Sequence, residues 1–229
     1  KKLGQQAKRL EKASVEENKW PTIPEAYFDV ILKGSCKVMR DDKAMPRFRA
    51  VAASIILLSQ LGIRLGDMLN LKVDSMFEED AEGLKMHYIN YTVEKLSKPH
   101  APKTRFDIFA SPLAVEAFNV LLSMRKYHRM HKNSDILILL PAQTKPNAYK
   151  TDGNAMPRHA WRAAYADFMI SIFWHECHMD WEGIRKTTIE YYHRDLKIKT
   201  KEVVSIPASP QYRVHLCTYL FNHGVKLSY

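Results

Sequence analysis

Residues 50–61 (AVAASIILLSQL) are almost all apolar, and this run constrains the fold of the 229-residue chain more than any other stretch. It is too short to cross a membrane, because a spanning helix needs about 20 apolar residues. The run therefore predicts a helix buried in a core. Gly62 follows it, where a glycine can end a helix in a left-handed cap, and a second short helix is expected at residues 66–71.

Arg64 lies between these two predicted helices. A guanidinium group rarely enters a core without a partner, so we expect this side chain to face an anion. Asp67 is three residues further on and within reach. The spacing leaves two interpretations: a structural Arg64–Asp67 ion pair at a corner between helices, or a site at which Arg64 binds an external anion.

Residues 61–71 (LGIRLGDMLNL) resemble the first-arginine box of the tyrosine recombinase family, the phage integrases and Xer-type enzymes. That box has a buried helix, then Gly-Leu-Arg, then a short helix with an acidic residue. Here Ile63 replaces the usual leucine and Asp67 the usual glutamate. The resemblance implies that Arg64 is a catalytic residue that contacts the scissile phosphate of DNA.

Residues 208–227 (ASPQYRVHLCTYLFNHGVKL) resemble the second-arginine box of the same family, with Arg213 as the catalytic arginine. Pro210 stands three residues before Arg213, where the family keeps a histidine. Either that histidine is replaced or a one-residue deletion has displaced it. The other residues in register are Thr218, Leu220, Asn222, His223, Gly224, Val225 and Leu227.

Two alternating, β-branched and aromatic runs, residues 84–93 (LKMHYINYTV) and 104–110 (TRFDIFA), predict strands on either side of a basic turn. The family carries its catalytic lysine in such a hairpin. Lys98 is the best match, and Lys95 and Lys103 are rivals and candidate DNA contacts. The resemblance thus implies an α+β, mainly helical fold, a recombinase catalytic domain with a small antiparallel β-sheet or hairpin on one edge.

A helix is predicted to open at residues 156–159 (MPRH), where backbone N–H groups favour phosphate, so Arg158 and His159 are further candidate DNA contacts. A rival alignment starts here. His159 and Arg162 also form a His-x-x-Arg pattern, and Arg162 lies nearer than Arg213 to the family's usual separation from Arg64. Residues 187–193 (TTIEYYH) resemble the residues around the family's nucleophilic tyrosine, which would then be Tyr191.

The alignment on Arg213 is favoured, because the helix with Arg162 lacks an Asn-x-Gly-Val ending and no Gly-His precedes the threonine pair. In this alignment residues 175–206 are an insertion, with an amphipathic helix expected at 181–196 and a strand-like run at 197–204. The nucleophile then lies beyond Tyr229, so the chain as given is expected not to cleave DNA.

Residues 1–20 are mostly polar and charged, which indicates a linker or the end of a missing N-terminal DNA-binding domain, and residues 21–229 would form the catalytic domain. The net charge of +10 favours a polyanionic partner. Three scattered cysteines suggest reduced thiols in a cytoplasmic, nucleoid-associated protein. Residues 175–178 (HECH) lack the second ligand pair that a tetrahedral metal site needs, so no metal is expected.

The function that the resemblance implies is site-specific DNA recombination or integration, as in phages and transposing mobile elements. The reaction passes through a 3′-phosphotyrosine and needs no cofactor. The expected partners are double-stranded DNA and further copies of the protein, as a dimer or tetramer on DNA, with no membrane. Three alternatives remain open: a type IB topoisomerase-like enzyme, a recombinase-like DNA-binding module that has lost catalysis, and a helical RNA-binding or tether domain without chemistry.

Overall fold

The protein has an α+β fold that is mainly helical and carries two small antiparallel sheets, as the sequence predicts at this level. A computed structural model describes residues 20–81, 83–93, 104–128, 132–140, 155–193 and 198–224. The predicted linker up to residue 19 lies outside the described residues. So do three candidate site residues, which are Lys95, Lys98 and Lys103.

Seven α-helices and five strands are described. The helices are α1 (Glu25–Arg40), α2 (Pro46–Leu61), α3 (Leu65–Leu69), α4 (Pro112–Met124), α5 (Arg158–Ile172), α6 (Trp174–His178) and α7 (Ser209–Asn222), with a 3-10 turn at Arg125–Tyr127. The strands are β1 (Met76–Ala81), β2 (Leu84–Thr92), β3 (Arg105–Phe109), β4 (Lys186–His193) and β5 (Ile198–Ser205).

Helix α2 is the centre of the core. Its residues from 50 to 58 are buried on every side of the helix, because α1, α4, α5 and α7 all pack against it. A helix that is apolar all round can be stable only in such a place. Gly62 ends α2 in the left-handed conformation, with φ 60°, and its N–H donates to the Leu58 carbonyl oxygen. The prediction of a buried helix with a glycine cap is therefore confirmed.

Strands β1, β2 and β3 form an antiparallel sheet in that order, and the two predicted strands are present as β2 and β3. Ile89 of β2 pairs with Ile108 of β3 and is fully buried against the helices. Strand β1 is not predicted by the sequence pattern, because its MFEEDA sequence contains three acidic residues, which are uncommon in strands. Pairing with β2 over the whole length of β1 outweighs that local preference.

The expectation of an amphipathic helix at residues 181–196 is wrong. Lys186–His193 is strand β4, and it pairs with β5 over its whole length. The run from Thr187 to Tyr192 is rich in β-branched and aromatic residues, which favour a strand. The strand-like character expected for residues 197–204 is confirmed by β5. The base of this β-ribbon is held by the core, where the Tyr27 hydroxyl donates to the Ser205 carbonyl oxygen over 2.7 Å.

Two further features bear on the predictions. The run at residues 135–141 (DILILLP) predicts a short buried strand; residues 136–140 are indeed buried, but within the described chain they make a single β-bridge, between Ile136 and Lys72. In the part of the chain that the structure describes, no helix combines the length and the apolar character needed to cross a bilayer.

Candidate functional site

A cavity of about 550 Å³ lies where the α2–α3 elbow meets the first turns of α5 and α7. We call it the arginine cavity, because four arginines line it: Arg64 from the elbow, Arg158 and Arg162 from α5, and Arg213 from α7. The other described residues of its wall are Trp20, Ile63, Leu65, Gly66, Asp67, Ser209, Pro210 and Val214.

The elbow places Arg64 beside Arg213. Arg64 is extended, with φ −72° and ψ 149°, and it directly precedes α3. Gly62 has no side chain, and this lets α7 approach closely. A Cβ atom built on Gly62 would lie 3.1 Å from Leu216 Cδ2 and 3.9 Å from Arg213 Cγ. The left-handed glycine thus ends the central helix and also makes room for the helix that carries the second arginine.

Arg158 and Arg162 are four residues apart on α5 and therefore lie on one face of that helix. The Arg158 guanidinium packs directly over Gly66, where an added Cβ atom would collide with it. Glycine at this position of α3 therefore leaves the space in which Arg158 reaches the cavity.

Helices α5 and α7 are joined by a buried hydrogen bond close to their arginines. The hydroxyl groups of Tyr165 on α5 and Tyr212 on α7 are 2.8 Å apart. The Tyr165 hydroxyl also donates to the Pro207 carbonyl oxygen over 3.0 Å, just before α7 begins. Burial raises the pKa of both phenols, so both are neutral hydrogen-bonding groups in this core.

The four arginines make no hydrogen bond or ion pair with any residue that the structure describes. Two arginines outside the cavity are paired: Arg40 bonds Glu116, and Arg49 bonds Asp42 over 2.7 Å. Asp67 is the one carboxylate among the described wall residues, and it is almost fully buried. The cavity is therefore strongly positive, and its guanidinium donors are available to an anion from outside.

The lack of an Arg64–Asp67 contact weighs against the purely structural interpretation of Arg64. An arginine kept only to brace a helix corner would be expected to pair with that carboxylate. Arg64 is instead exposed at the cavity wall, while Asp67 is almost fully buried.

Tyr91 on β2 is a neighbour of the cavity that the sequence did not indicate. Partial burial raises the pKa of its phenol. The positive charges of Arg213 and Arg64 lower this pKa, and the negative charge of Asp67 raises it. The hydroxyl of Tyr91 is therefore within electrostatic reach of both arginines. It is on β2, which pairs with β3, and the predicted catalytic lysine lies in the sequence between these two strands.

The structure brings together some of the predicted site residues and not others. Arg64, Arg158 and Arg213 line the cavity, and so does Arg162, the second arginine of the rival alignment. His159 is exposed on α5 and is not among the lining residues. Tyr191 is on β4, opposite Thr200.

No histidine is found among the described lining residues of the arginine cavity. Pro210 is part of the wall at the place where the family has its histidine. His215, two residues after Arg213, is turned elsewhere: its ring stacks on Phe28 at 3.9 Å, and its Nδ1 is 3.0 Å from the Ile23 carbonyl oxygen.

The HECH segment at residues 175–178 belongs to α6. Cys177 is fully buried, and burial raises the pKa of its thiol to about 11, while its Sγ lies 3.7 Å from the Tyr27 hydroxyl. His178 contacts the Trp174 carbonyl oxygen and Glu202. Among the described residues, no group of three His, Cys, Asp or Glu side chains is placed to hold a metal ion.

Comparison with known proteins gives no match: no protein family, curated protein or solved structure is found to be similar to this chain. The resemblance to tyrosine recombinases therefore stays a hypothesis, and it depends on the residues named above and on the geometry of the cavity.

Proposed function

We propose that this chain is the catalytic part of a site-specific DNA recombinase or integrase of mobile-element or phage type. It would cut and rejoin double-stranded DNA through a 3′-phosphotyrosine intermediate while several copies assemble on the DNA in the cytoplasm. One observation carries the proposal. Arg64 and Arg213, 149 residues apart in the sequence, line the same cavity, and neither has a partner among the described residues.

The chemistry explains why such a cavity needs arginines. A tyrosine hydroxyl loses its proton as its oxygen attacks the scissile phosphorus, the P–O5′ bond breaks, and the leaving 5′-oxygen gains a proton. The pentacoordinate transition state carries more charge on its non-bridging oxygens than the starting diester. Planar, permanently charged guanidinium groups already aimed at that charge lower the barrier, each by roughly 3–4 kcal/mol in comparable sites.

The remaining roles follow from the resemblance. Lys98 would donate the proton to the leaving 5′-oxygen as a general acid. The phosphotyrosine bond conserves the energy of the broken diester, so attack by a 5′-hydroxyl reverses the first step and reseals the strand without a cofactor. Arg158, His159, Lys95 and Lys103 would contact DNA. Because Arg162 lines the same cavity, it would also contact this phosphate or its neighbours.

The nucleophile is not among the described residues of the cavity wall, none of which is a tyrosine. In the favoured alignment it follows the α7 region, beyond Tyr229, and in the rival alignment it is Tyr191. A Tyr191→Phe variant of the full-length protein distinguishes them: retained covalent trapping of DNA favours a nucleophile beyond Tyr229, and lost trapping favours Tyr191.

A second candidate function is a recombinase-like DNA-binding module without catalysis. It is favoured by Pro210 in the cavity wall and by the lack of a histidine among the described lining residues. Such a protein would still use the arginines to bind phosphate, but it would form no covalent intermediate.

The test measures DNA binding and covalent trapping in the full-length protein. Arg64→Gln and Arg213→Gln should each weaken duplex binding and reduce the slope of log K against log salt by about one, the effect of one lost phosphate contact. Arg40→Gln is the matched control, because it removes a guanidinium that is paired with Glu116 outside the cavity.

Trapping with a nicked suicide duplex then separates the two candidates. The recombinase is supported if the unsubstituted protein forms covalent product and the Arg64→Lys and Arg213→Lys variants do not, because lysine lacks the bidentate donors of arginine. Arginine-dependent binding without any covalent product supports the module. Binding that neither glutamine variant changes would contradict both.

A further inference from the structure

A second cavity, of about 750 Å³, adjoins the arginine cavity. We call it the side groove. Trp161 and Tyr165 of α5 lie along one wall, and Lys186–Ile189 of β4 form the other. Four residues line both cavities, so the groove continues directly from the arginine cavity: Trp20, Arg162, Ser209 and Pro210.

The side groove is basic and partly apolar. Its charged lining residues are Arg162, Arg185 and Lys186, and no carboxylate is found among the described residues that line it. Within the described chain, Arg162 and Arg185 have no ion pair, and Lys186 has only an exposed one with Asp180 at 3.2 Å. Apolar contact is supplied by Ile189, Val204, Ile206 and Pro207.

Trp20 stands at the junction of the two cavities. Its side chain is 46% exposed, and it contacts no other ring in the part of the chain that the structure describes. The other large aromatic residues of the groove, Trp161 and Tyr165, are buried and stack on each other at 4.9 Å. Trp20 is therefore an aromatic face open to a ligand, next to four guanidinium groups.

We propose that the side groove binds unpaired nucleotides of the DNA strand that continues from the phosphate in the arginine cavity, with Trp20 as a stacking platform. Sites for single-stranded nucleic acid combine a basic channel for the backbone with aromatic side chains for the bases. A cavity of this size suits one or two nucleotides, since it is in the range of small-ligand pockets.

This inference rests on the proposed function and adds a step to it. After cleavage, the nucleotides beside the broken phosphate must leave their complementary strand before they can join another duplex. Arg162 and Arg185 would hold their phosphates, and Trp20 would offset part of the base stacking lost on unpairing. The groove would thereby favour the separated state of the strand.

The experiment compares two DNA probes at one salt concentration: a duplex, and the same duplex with a three-nucleotide unpaired flap. The measured quantity is the flap preference, which is the dissociation constant of the duplex divided by that of the flap probe. Trp20→Leu should reduce this preference by roughly 5- to 150-fold, the range expected for loss of one stacked base. Trp20→Phe should retain most of it, because an aromatic face remains.

Trp174→Leu is the matched control, since Trp174 is also exposed, at 36%, and lies outside both cavities. It should leave the flap preference unchanged. Arg185→Gln should reduce the salt slope for the flap probe by about one and leave the slope for the duplex unchanged.

Failure of this inference is distinguishable from failure of the proposed function. Arg64→Gln should weaken binding of both probes and preserve their ratio. If Arg64→Gln has that effect while Trp20→Leu leaves the ratio unchanged, the groove proposal is wrong and the proposed function stands. Binding of an extended acidic peptide that depends on Trp20 and Arg185, with no such dependence for the flap, would instead assign the groove to a protein partner.

Discussion

The hydroxyl groups of Tyr165 and Tyr212 meet at 2.8 Å in the core, although the two residues are 47 positions apart in the sequence. Tyr165 lies three residues after Arg162, and Tyr212 directly precedes Arg213. Because the Tyr165 hydroxyl donates to the Pro207 carbonyl oxygen, the Tyr212 hydroxyl is the donor between the two phenols. This pair holds α5 against α7 and so sets the spacing of the arginines that these helices carry.

Tyr165→Phe should destabilise the protein more than Tyr212→Phe. Removing the Tyr212 hydroxyl loses one hydrogen bond, at about 1 kcal/mol, and Tyr165 still donates to Pro207. Removing the Tyr165 hydroxyl leaves the buried Tyr212 hydroxyl without its partner, which costs roughly 1–3 kcal/mol. Urea unfolding of the two variants measures this, and the double variant should cost less than the sum. Equal and additive effects would contradict the direction of the hydrogen bonds.

Gly66→Ala should weaken DNA binding without unfolding the protein. The added methyl group would occupy the place of the Arg158 guanidinium, and this flexible side chain can move away from it. Alanine also suits a helix better than glycine, by roughly 1 kcal/mol. Duplex binding should fall about as much as for Arg158→Gln, while the melting temperature is unchanged or higher. If the double variant Gly66→Ala/Arg158→Gln binds duplex no more weakly than Arg158→Gln alone, both substitutions act through Arg158.

Gly62→Ala should lower the free energy of unfolding by at least 1–2 kcal/mol. The left-handed conformation alone costs about that much for a residue with a Cβ atom. The new methyl group would also press on Leu216 Cδ2 at 3.1 Å and shift α7 relative to the elbow. Gly224→Ala is the control, since Gly224 also has a positive φ, of 77°, but a Cβ atom added there meets no atom of the described residues within 4 Å.

The Gly62 and Gly224 variants separate stability from site geometry. Only Gly62→Ala should also reduce duplex binding at a temperature where both variants are folded, because only Gly62 lies against Arg213. Denaturant unfolding and anisotropy titrations on the same samples measure the two effects. Equal binding by both variants would show that the elbow does not position Arg213.

The Arg40–Glu116 ion pair predicts a pH dependence of stability. Two hydrogen bonds from Arg40, of 2.6 and 2.7 Å, lower the pKa of the Glu116 carboxyl group. Since the folded pKa is below the unfolded one, the pair stabilises the protein above the unfolded pKa of about 4.3 and loses this effect as the pH falls through the folded pKa.

Urea unfolding of the protein and its Glu116→Gln variant should therefore differ at pH 7 and converge below pH 4. Because both side chains of the pair are partly exposed, high salt should shrink the difference. Glu182→Gln, at an exposed glutamate without an ion pair in the described chain, should show no such convergence. A difference that persisted at low pH would mean that Glu116 acts through packing instead of charge.

Much of the fold follows from local patterns. The apolar run of α2, its glycine cap, the alternating strands β2 and β3, and the start of α5 could be predicted from neighbouring residues. Strand β4 could not be predicted in this way, because the length and mixed polarity of its sequence also fit a helix. Its pairing with β5 makes it a strand. Pairing between strands is a non-local interaction, and it outweighs a weak local pattern.

The sequence by itself determined that Arg64 follows a buried helix and should face solvent or an anion, because a guanidinium group rarely enters an apolar core without a partner. Only the tertiary structure decided that Arg162 and Arg213, rivals in the sequence, lie on the same cavity. Their meeting depends on contacts between residues that are far apart along the chain, Tyr165 with Tyr212 and Gly62 with Leu216. No local pattern encodes such contacts, since they arise from how the helices pack.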